Sequence, residues 1–311
     1  MEIKELLPEV RENVLLAEYA TLKIGGSAKY FFSADDKEDI IRAIKAAKKF
    51  GLPFFILGGG SNILFSDDGF DGLVIKIQSS KSKIQNNIIW AEAGMMLSEL
   101  VKLAEEEGLS GLEWAAGIYG TVGGAIRGNA GAFDGQILDV VKTVEYFDAQ
   151  KEKIEQRSNK ECCFDYRSSI FKKNKNFIIF SCELELKKGN REEIKRKIDG
   201  YKSYREERHP LNYPSAGSVF KNPKPTERII RDYPEIVKDG VVPAGFLIEQ
   251  AGLKGRIVGG AQISEKHCNF IVNLGNAAAK DILELIKIVK ENVKNKFGIN
   301  LEEEIFIFSD I

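Results

Sequence analysis

Seven of the chain's 29 glycines fall between Gly117 and Gly135, in the run Gly-Ile-Tyr-Gly-Thr-Val-Gly-Gly-Ala-Ile-Arg-Gly-Asn-Ala-Gly-Ala-Phe-Asp-Gly. At the chain's average glycine content a stretch of that length would hold about two. Inside a regular element each glycine costs roughly 0.5–1 kcal/mol, so a cluster this dense needs a compensating gain. Close approach of backbone N–H groups to a bulky anion supplies one. A stripe of small residues for helix packing is the other reading, but Arg127, Asn129 and Asp134 interrupt it. A second glycine site, Gly58-Gly-Gly-Ser-Asn62, lies upstream between two apolar runs. Two such loops point to a large phosphorylated cofactor. Neither has the spacing of a P-loop or of the Rossmann dinucleotide fingerprint.

Composition narrows the partners. The 311 residues allow two or three domains, and 45 basic against 46 acidic residues leave a formal net charge of −1. No basic half or tail argues for nucleic acid or an anionic membrane, so any anion is bound by local geometry. The first residues lack the basic start and apolar core of a secretory leader. No apolar run reaches ~18 residues, the length of a membrane span. The spacing of Cys162, Cys163, Cys182 and Cys268 fits no zinc site, and they read as reduced thiols of a cytoplasmic protein. With only His209 and His267 besides, no metal is expected.

The pattern predicts a strand at 28–32, a helix opened by Asp35 or Asp36 and stopped by Gly51, and a buried strand at 54–57 running into the first glycine loop. This reads as a β-α-β unit closed by 73–77, with 79–87 as a polar linker. Further strands are expected at 88–91, 140–147 and 178–186, and a helix from Leu97 to Gly108. Ser158 and Glu161 have capping-box spacing ahead of Phe164-Asp-Tyr-Arg-Ser-Ser-Ile-Phe171. A charged helix at 192–208, apolar at Ile194, Ile198, Tyr201 and Tyr204, leads to a proline-rich boundary. The last segment holds a helix at 277–297, stopped by Gly298, and a strand at 301–308.

Three tracts display groups fit for chemistry. Tyr166 and Arg167 sit in an aromatic, capped tract, where an arginine is usually a surface residue. In Tyr213-Pro-Ser-Ala-Gly-Ser-Val-Phe-Lys-Asn-Pro223, prolines fix both ends while Gly217 permits an unusual backbone angle, and Ser218 and Lys221 are displayed. Period-2 alternation over 301–308 puts Glu304 on one face with Phe306 and Phe308, where a desolvated carboxyl suits proton donation. On pattern alone, solvated glutamates at a strand entrance are the commoner arrangement. His209 is expected to interact with the C-terminal dipole of its helix, and His267 to be a structural hydrogen-bonder.

Taken in order, these segments resemble the UDP-N-acetylenolpyruvoylglucosamine reductase family, flavoenzymes of peptidoglycan precursor synthesis. The resemblance runs from about Thr21 to Phe308. It is carried by Thr21-Leu-Lys-Ile-Gly-Gly26, Leu57-Gly-Gly-Gly-Ser-Asn62, the Gly117 to Gly135 run, Tyr166-Arg-Ser-Ser-Ile-Phe171, Ala216-Gly-Ser-Val-Phe-Lys-Asn-Pro223, Ala251-Gly-Leu-Lys-Gly255 and Leu301-Glu-Glu-Glu304. It implies an α+β fold: a two-part FAD-binding module of the vanillyl-alcohol-oxidase (PCMH) type, followed by an α+β substrate-binding domain. The corresponding bounds are 1–78 and 79–200 for the two FAD subdomains and 201–311 for the substrate domain.

The resemblance also implies NADPH as hydride donor, a UDP-sugar substrate and a monomer without nucleic-acid or membrane partners. Arg167, Ser218 and Glu304 would be catalytic, and Tyr166, Lys221 and Asn222 would touch substrate. FAD would be held by Gly58, Gly59, Gly60, Ser61, Asn62, Gly117, Thr121, Gly123, Gly124, Asn129, Gly131 and Ala132. The chain departs from its relatives at Tyr119, where proline is usual, and at Ala20, where asparagine is frequent. Its direct passage from strand to helix over 184–193 marks the shorter subclass, which lacks a tyrosine-bearing insertion. The competing activity is an FAD-dependent alcohol or sugar oxidase on the same flavin fold.

Overall fold

The apolar strands read near the N-terminus pair in parallel, but not in the order of a simple β-α-β unit. In the computed structural model, which describes residues 3–308, Phe70–Ile77 lies between Ser27–Ala34 and Phe54–Leu57, and Arg11–Leu15 forms the edge. Phe70–Ile77 is therefore the central strand and not a closing one. Burial on both faces is what a parallel sheet requires, and Leu73, Val74 and Ile75 are fully buried. The helix Lys37–Lys49 covers one face with Ile40, Ala43, Ile44 and Ala47, and Asp36 caps it by accepting from the Asp39 amide at 2.8 Å.

A second, antiparallel sheet runs Lys153–Ser158, Val141–Asp148, Phe177–Glu185, Ile88–Glu92 and Ser82–Gln85. The segment 79–87, expected as a linker, thus contains a strand, and Lys153–Ser158 is another that hydropathy misses. Both are edge strands whose side chains are half-buried or exposed, so they carry little apolar signal. Phe147, Ile178 and Phe180 join the core of the first sheet with Leu73 and Ile75. On the other side, Val144, Tyr146, Cys182 and Leu184 pack with the helix Leu97–Glu106 and with Ile194 and Ile198 of the helix Arg191–Arg208. The expectation that Tyr204 shares this buried stripe fails, because Arg205 takes the inward place while Tyr204 is exposed. Its guanidinium is satisfied there, with Nε donating to Ala116 O at 2.8 Å and Nη2 to Trp114 O at 3.3 Å.

These elements form one compact unit: the chain up to Val14, Ala28–Gly59 and Phe70–Arg205. The second unit gathers Leu15–Ser27, Gly60–Gly69 and Glu206–Ile311. Two short internal segments therefore join the C-terminal third, a division that no linear cut of the sequence reproduces. Thr21 Oγ1 donates to Ser215 O at 2.7 Å, and Asn273 Nδ2 to Leu22 O at 3.1 Å, which ties the first segment in. Ile63–Leu64 of the other pairs in parallel with Phe306–Ile307.

The unit's main sheet is antiparallel, in the order Ser215–Ser218, Phe270–Asn273, Ala261–Ile263, Ile257–Val258. The helix Ala279–Phe297 packs on its core through Ile282, Leu285, Ile286, Val289 and Val293, and ends at Gly298 in the left-handed region (φ +68°). Burying one such side chain contributes about 1.5–3 kcal/mol, which makes this helix a main prop of the unit. The expected strand at 301–308 shrinks to Phe306–Ile307, with Glu303 in an isolated bridge to Phe220.

Candidate active site

In the first unit the two glycine sites meet each other. The strand Phe54–Leu57 delivers Gly58 and Gly59 against the second run. A Cβ on Gly58 would lie 2.6 Å from Thr121 Oγ1, and one on Gly59 2.8 Å from Gly120 Cα. Side chains there would push the loops apart. Lys76, on the central strand, donates from Nζ to Gly58 O at 2.6 Å, and burial pulls its ammonium below the ordinary value of 10.5. The same loop continues into the second unit, where Thr21 N donates to Gly60 O and Asn62 Nδ2 donates to Glu304 O, at 3.0 and 3.1 Å.

Thr121 caps the short helix Val122–Gly128. The amides at its start serve the protein itself: Val122 N donates to Met95 O, Gly123 N to Ala93 O and Gly124 N to Thr121 Oγ1. The glycine run therefore does not offer these N–H groups to an anion in the way its composition suggests. Two of its glycines still lack an internal reason. Neither Gly124 nor Gly128 has a positive φ; a Cβ on Gly124 would be 3.5 Å from Thr121 Oγ1, and one on Gly128 would meet nothing within 4 Å. Each costs about 1 kcal/mol against alanine in a helix, so the surface they bare fits close approach by a ligand. Gly117 is different: its φ is +79°, and a Cβ would strike Arg205 Cδ at 2.8 Å.

Asn129 ends the helix in the left-handed region (φ +42°) and is 1% exposed. Its Nδ2 donates to Gln136 Oε1 and Asp165 O, both at 3.0 Å, and its Oδ1 accepts from Leu138 N at 3.0 Å. The side chain thus joins the hairpin of Gly131–Ala132 and Gly135–Gln136 to the tract that bears Arg167. That tract is a tight turn in which Asp165 and Ser168 exchange backbone bonds of 3.0 Å, with Tyr166 and Arg167 at the tip. The capping box upstream forms, Ser158 N donating to Glu161 Oε2 at 2.9 Å. Arg167 has φ +52°, uncommon for an arginine. Its Nη2 donates to Gly131 O at 2.8 Å, its carbonyl accepts from Lys172 Nζ at 3.0 Å, and its guanidinium lies 5.2 Å from the Tyr166 ring. Ser169 Oγ completes the docking by donating to Arg127 O at 2.8 Å.

The second unit holds the other expected groups. Ser218 ends its strand beside Gly217, which has φ +77°. One residue on, Val219 O accepts from Glu304 N at 2.7 Å, and Lys221 N donates to Glu302 O at 2.9 Å. Ser218 and Glu304 are therefore brought together by backbone bonds, although Glu304 sits outside the regular alternation that pointed to it. Lys221 Nζ pairs with Glu302 at 3.0 Å, and Asn222 Oδ1 accepts from Ala244 N at 3.0 Å. His209 and His267, far apart in sequence, meet edge to face at 5.4 Å, each also against Phe270. Burial holds His267 below its ordinary 6.5.

Of the sequence candidates, Gly58, Gly59, Gly117, Thr121, Gly123, Gly124, Asn129, Gly131, Ala132, Tyr166 and Arg167 belong to the first unit. Gly60, Ser61, Asn62, Ser218, Lys221, Asn222 and Glu304 belong to the second. Sequence reasoning passed over Lys76, Arg205 and Asn269. Lys76 and Asn269 left a signal, a polar residue in or at the start of an apolar run, whereas Arg205 lies among charged residues and left none. A cleft of about 290 Å³ in the first unit takes in Trp114, Phe133 and Tyr201 but none of the expected cofactor residues. Among the described residues no group of three His, Cys, Asp or Glu side chains is placed to hold a metal, and no helix is long and apolar enough to cross a membrane.

Comparison with known proteins finds two matched segments in the sequence. Residues 28–155 match the FAD binding domain family, and residues 209–308 match the C-terminal domain of UDP-N-acetylenolpyruvoylglucosamine reductase. A reductase of that name from Anoxybacillus flavithermus is 40% identical over 300 residues, covering 96% of this chain and 94% of the relative. The one from Caldanaerobacter subterraneus is 41% identical over 312 residues, covering 99% and 97%. The crystal structure of UDP-N-acetylenolpyruvylglucosamine reductase from Thermus caldophilus superposes with a TM-score of 0.78 at 35% identity, covering 96% of this chain and 99% of that one. The fold is the expected α+β one, with an FAD-binding domain followed by the C-terminal domain of that reductase.

Proposed function

Since the chain belongs to the UDP-N-acetylenolpyruvoylglucosamine reductase family, we propose that Arg167, Ser218 and Glu304 carry out its reaction. The chain is an FAD-containing, NADPH-dependent oxidoreductase that reduces UDP-N-acetylglucosamine enolpyruvate to UDP-N-acetylmuramate, a step in peptidoglycan precursor synthesis. The glycine pairs of the first unit fit such a cofactor: a Cβ on Gly58 or Gly59 would break the loop contact, and Gly124 and Gly128 bare a backbone surface. FAD when bound supplies the hydride, drawn from NADPH. Gly58, Gly59, Gly124, Asn129, Gly131 and Ala132 would hold it in the first unit, and Gly60, Ser61 and Asn62 follow directly along the chain.

The substrate's double bond is conjugated to a carboxylate. Hydride adds to the terminal carbon, and the π electrons move to the carbon beside the carboxylate as an enolate. Arg167 stabilises that charge, since a guanidinium is always cationic and binds a carboxylate in two places. Glu304, in its protonated form, donates a hydrogen bond to the same carboxylate. The Ser218 hydroxyl gives its proton to the enolate carbon, completing the C–H bond, and the resulting alkoxide regains a proton from water. A serine hydroxyl is a weak acid, but an enolate carbon is basic enough to take its proton. Tyr166, Lys221 and Asn222 contact the UDP-sugar.

The observation that carries this reading is the 2.7 Å bond from Glu304 N to Val219 O, which places the carboxyl-bearing residue next to Ser218. Anaerobic stopped-flow tests it. NADPH should bleach the flavin of Ser218→Ala at the normal rate, while recovery on adding the enolpyruvyl sugar slows by roughly 10²–10⁴. Recovery at wild-type speed removes Ser218 from the reaction, and bleaching by an alcohol would favour the oxidase reading. NADPH and the sugar are read as reacting in turn, so initial-velocity lines should be parallel. The protein is further read as a monomer of the cytoplasm, where NADPH and UDP-sugars are made, and light scattering checks its mass.

A further inference from the structure

The serine tract is held by a residue that no sequence motif marks. The ladder between Ser215–Ser218 and Phe270–Asn273 is irregular between Ser215 and Ser218, where Gly217 adopts φ +77°. Beyond Ser218 the pairing is continued by Asn269. Its carbonyl accepts from Val219 N at 2.8 Å. Its side chain then does the work of another peptide group, Oδ1 accepting from Phe220 N at 3.0 Å and Nδ2 donating to Phe220 O at 2.8 Å. Asn269 is only 4% exposed and Phe220 1%, so water does not replace these bonds. Flanking Phe220, Val219 O accepts from Glu304 N and Lys221 N donates to Glu302 O. The backbone N–H of Asn269 donates to His267 Nδ1 at 3.2 Å, which fixes the main chain from which this side chain extends.

We infer that Asn269 is a positioning residue for proton delivery: its primary amide sets the register of residues 218–221, so that the Ser218 hydroxyl and the Glu304 carboxyl are presented together. The inference rests on the reading of Ser218 as proton donor. An apolar side chain of similar size at 269 would leave both polar groups of Phe220 buried and unpaired. The strip would then shift to find partners, and a misplacement of about 1 Å at a reacting group costs up to roughly 10²-fold in rate.

The experiment compares Asn269→Leu and Asn269→Asp holoenzymes with wild type and combines each with Ser218→Ala. Asn269→Asp keeps the acceptor for Phe220 N and loses the donor to Phe220 O, and it is the variant read if the leucine protein does not load flavin. Expected are unchanged bleaching by NADPH, a recovery with enolpyruvyl sugar slowed by roughly 10–10²-fold, and a larger effect on kcat than on KM. In the Ser218→Ala background the same substitution should slow recovery by less than about threefold, since groups that act as a unit are not additive. Equal slowing of both half-reactions, or full additivity with Ser218→Ala, would mean Asn269 supports the fold alone and overturns the inference. Wild-type recovery in Ser218→Ala itself would instead strike the reading on which the inference rests.

Discussion

Each unit presents its expected reaction group on an irregular segment fastened by one buried asparagine, and the two solutions differ in strain. In the first, Arg167 sits at a turn tip with φ +52°, docked on the glycine run through Asn129, Gly131 and Ser169. In the second, Ser218 lies at the end of a ladder that Asn269 extends, and the positive φ falls on Gly217, which tolerates it. A non-glycine residue in the left-handed region costs of order 1–3 kcal/mol and persists only where its surroundings over-determine it. The arginine needs its three anchors because its backbone is strained. The serine needs a register.

Removing the presented groups should have the largest effect and sharpen the comparison. Arg167→Ala is expected to lower kcat by roughly 10²–10³ with flavin bleaching by NADPH intact, by analogy with the loss of one stabilising donor at a developing anion. Recovery rates near wild type would leave the strained turn without a purpose. Next comes the first unit's asparagine. Asn129→Gly keeps the left-handed backbone and deletes the side-chain bonds, and should slow the sugar half-reaction by roughly tenfold or more as the turn loosens. Asn129→Ala should add a fall in stability of about 1–2 kcal/mol from backbone strain, read by thermal unfolding. Equal melting temperatures for the glycine and alanine proteins would break the strain argument.

Acid should weaken the second unit through His267. Its folded value lies below the ordinary 6.5 because burial disfavours the charged ring. The unfolded chain therefore binds the proton more readily, and this contribution to stability, full above pH 6.5, is lost as pH falls toward the folded value. Protonation would also end Nδ1's role as acceptor for Asn269 N. His267→Gln should flatten the melting curve over that window, and an unchanged slope there would count against it. The smallest effect expected is in thiol labelling. Burial pushes Cys162 and Cys182 up to about 12 and Cys268 to about 11, while Cys163 is exposed. One fast thiol should react in the native protein. Cys182 then reports opening of the first unit and Cys268 that of the second.

Much of this architecture is written locally. The helices Lys37–Lys49, Leu97–Glu106 and Ala279–Phe297 carry periodic apolar faces, and their ends are marked by Asp36 and Gly298. The edge strands Ser82–Gln85 and Lys153–Ser158 bury too little to leave such a trace. The central place of Phe70–Ile77 is a long-range choice that no window of sequence contains. The site follows the same rule. Its glycines, Arg167 and the Ser218 tract stand out because their residue types are costly where they occur. Asn129 was visible as part of a glycine run, but its bonds to Gln136 and Asp165 were not. Asn269 needed Phe220, 49 residues away, to show its use.

The chain passes from one unit to the other five times, after Val14, Ser27, Gly59, Gly69 and Arg205. Leu22, Ile24 and Leu64 emerge from the ribosome early, yet they belong to a core whose remaining residues begin at Ala216. During synthesis these side chains wait, uncovered, for more than half the polypeptide to follow. A polypeptide that stops before Ala216 would leave them without the rest of that core.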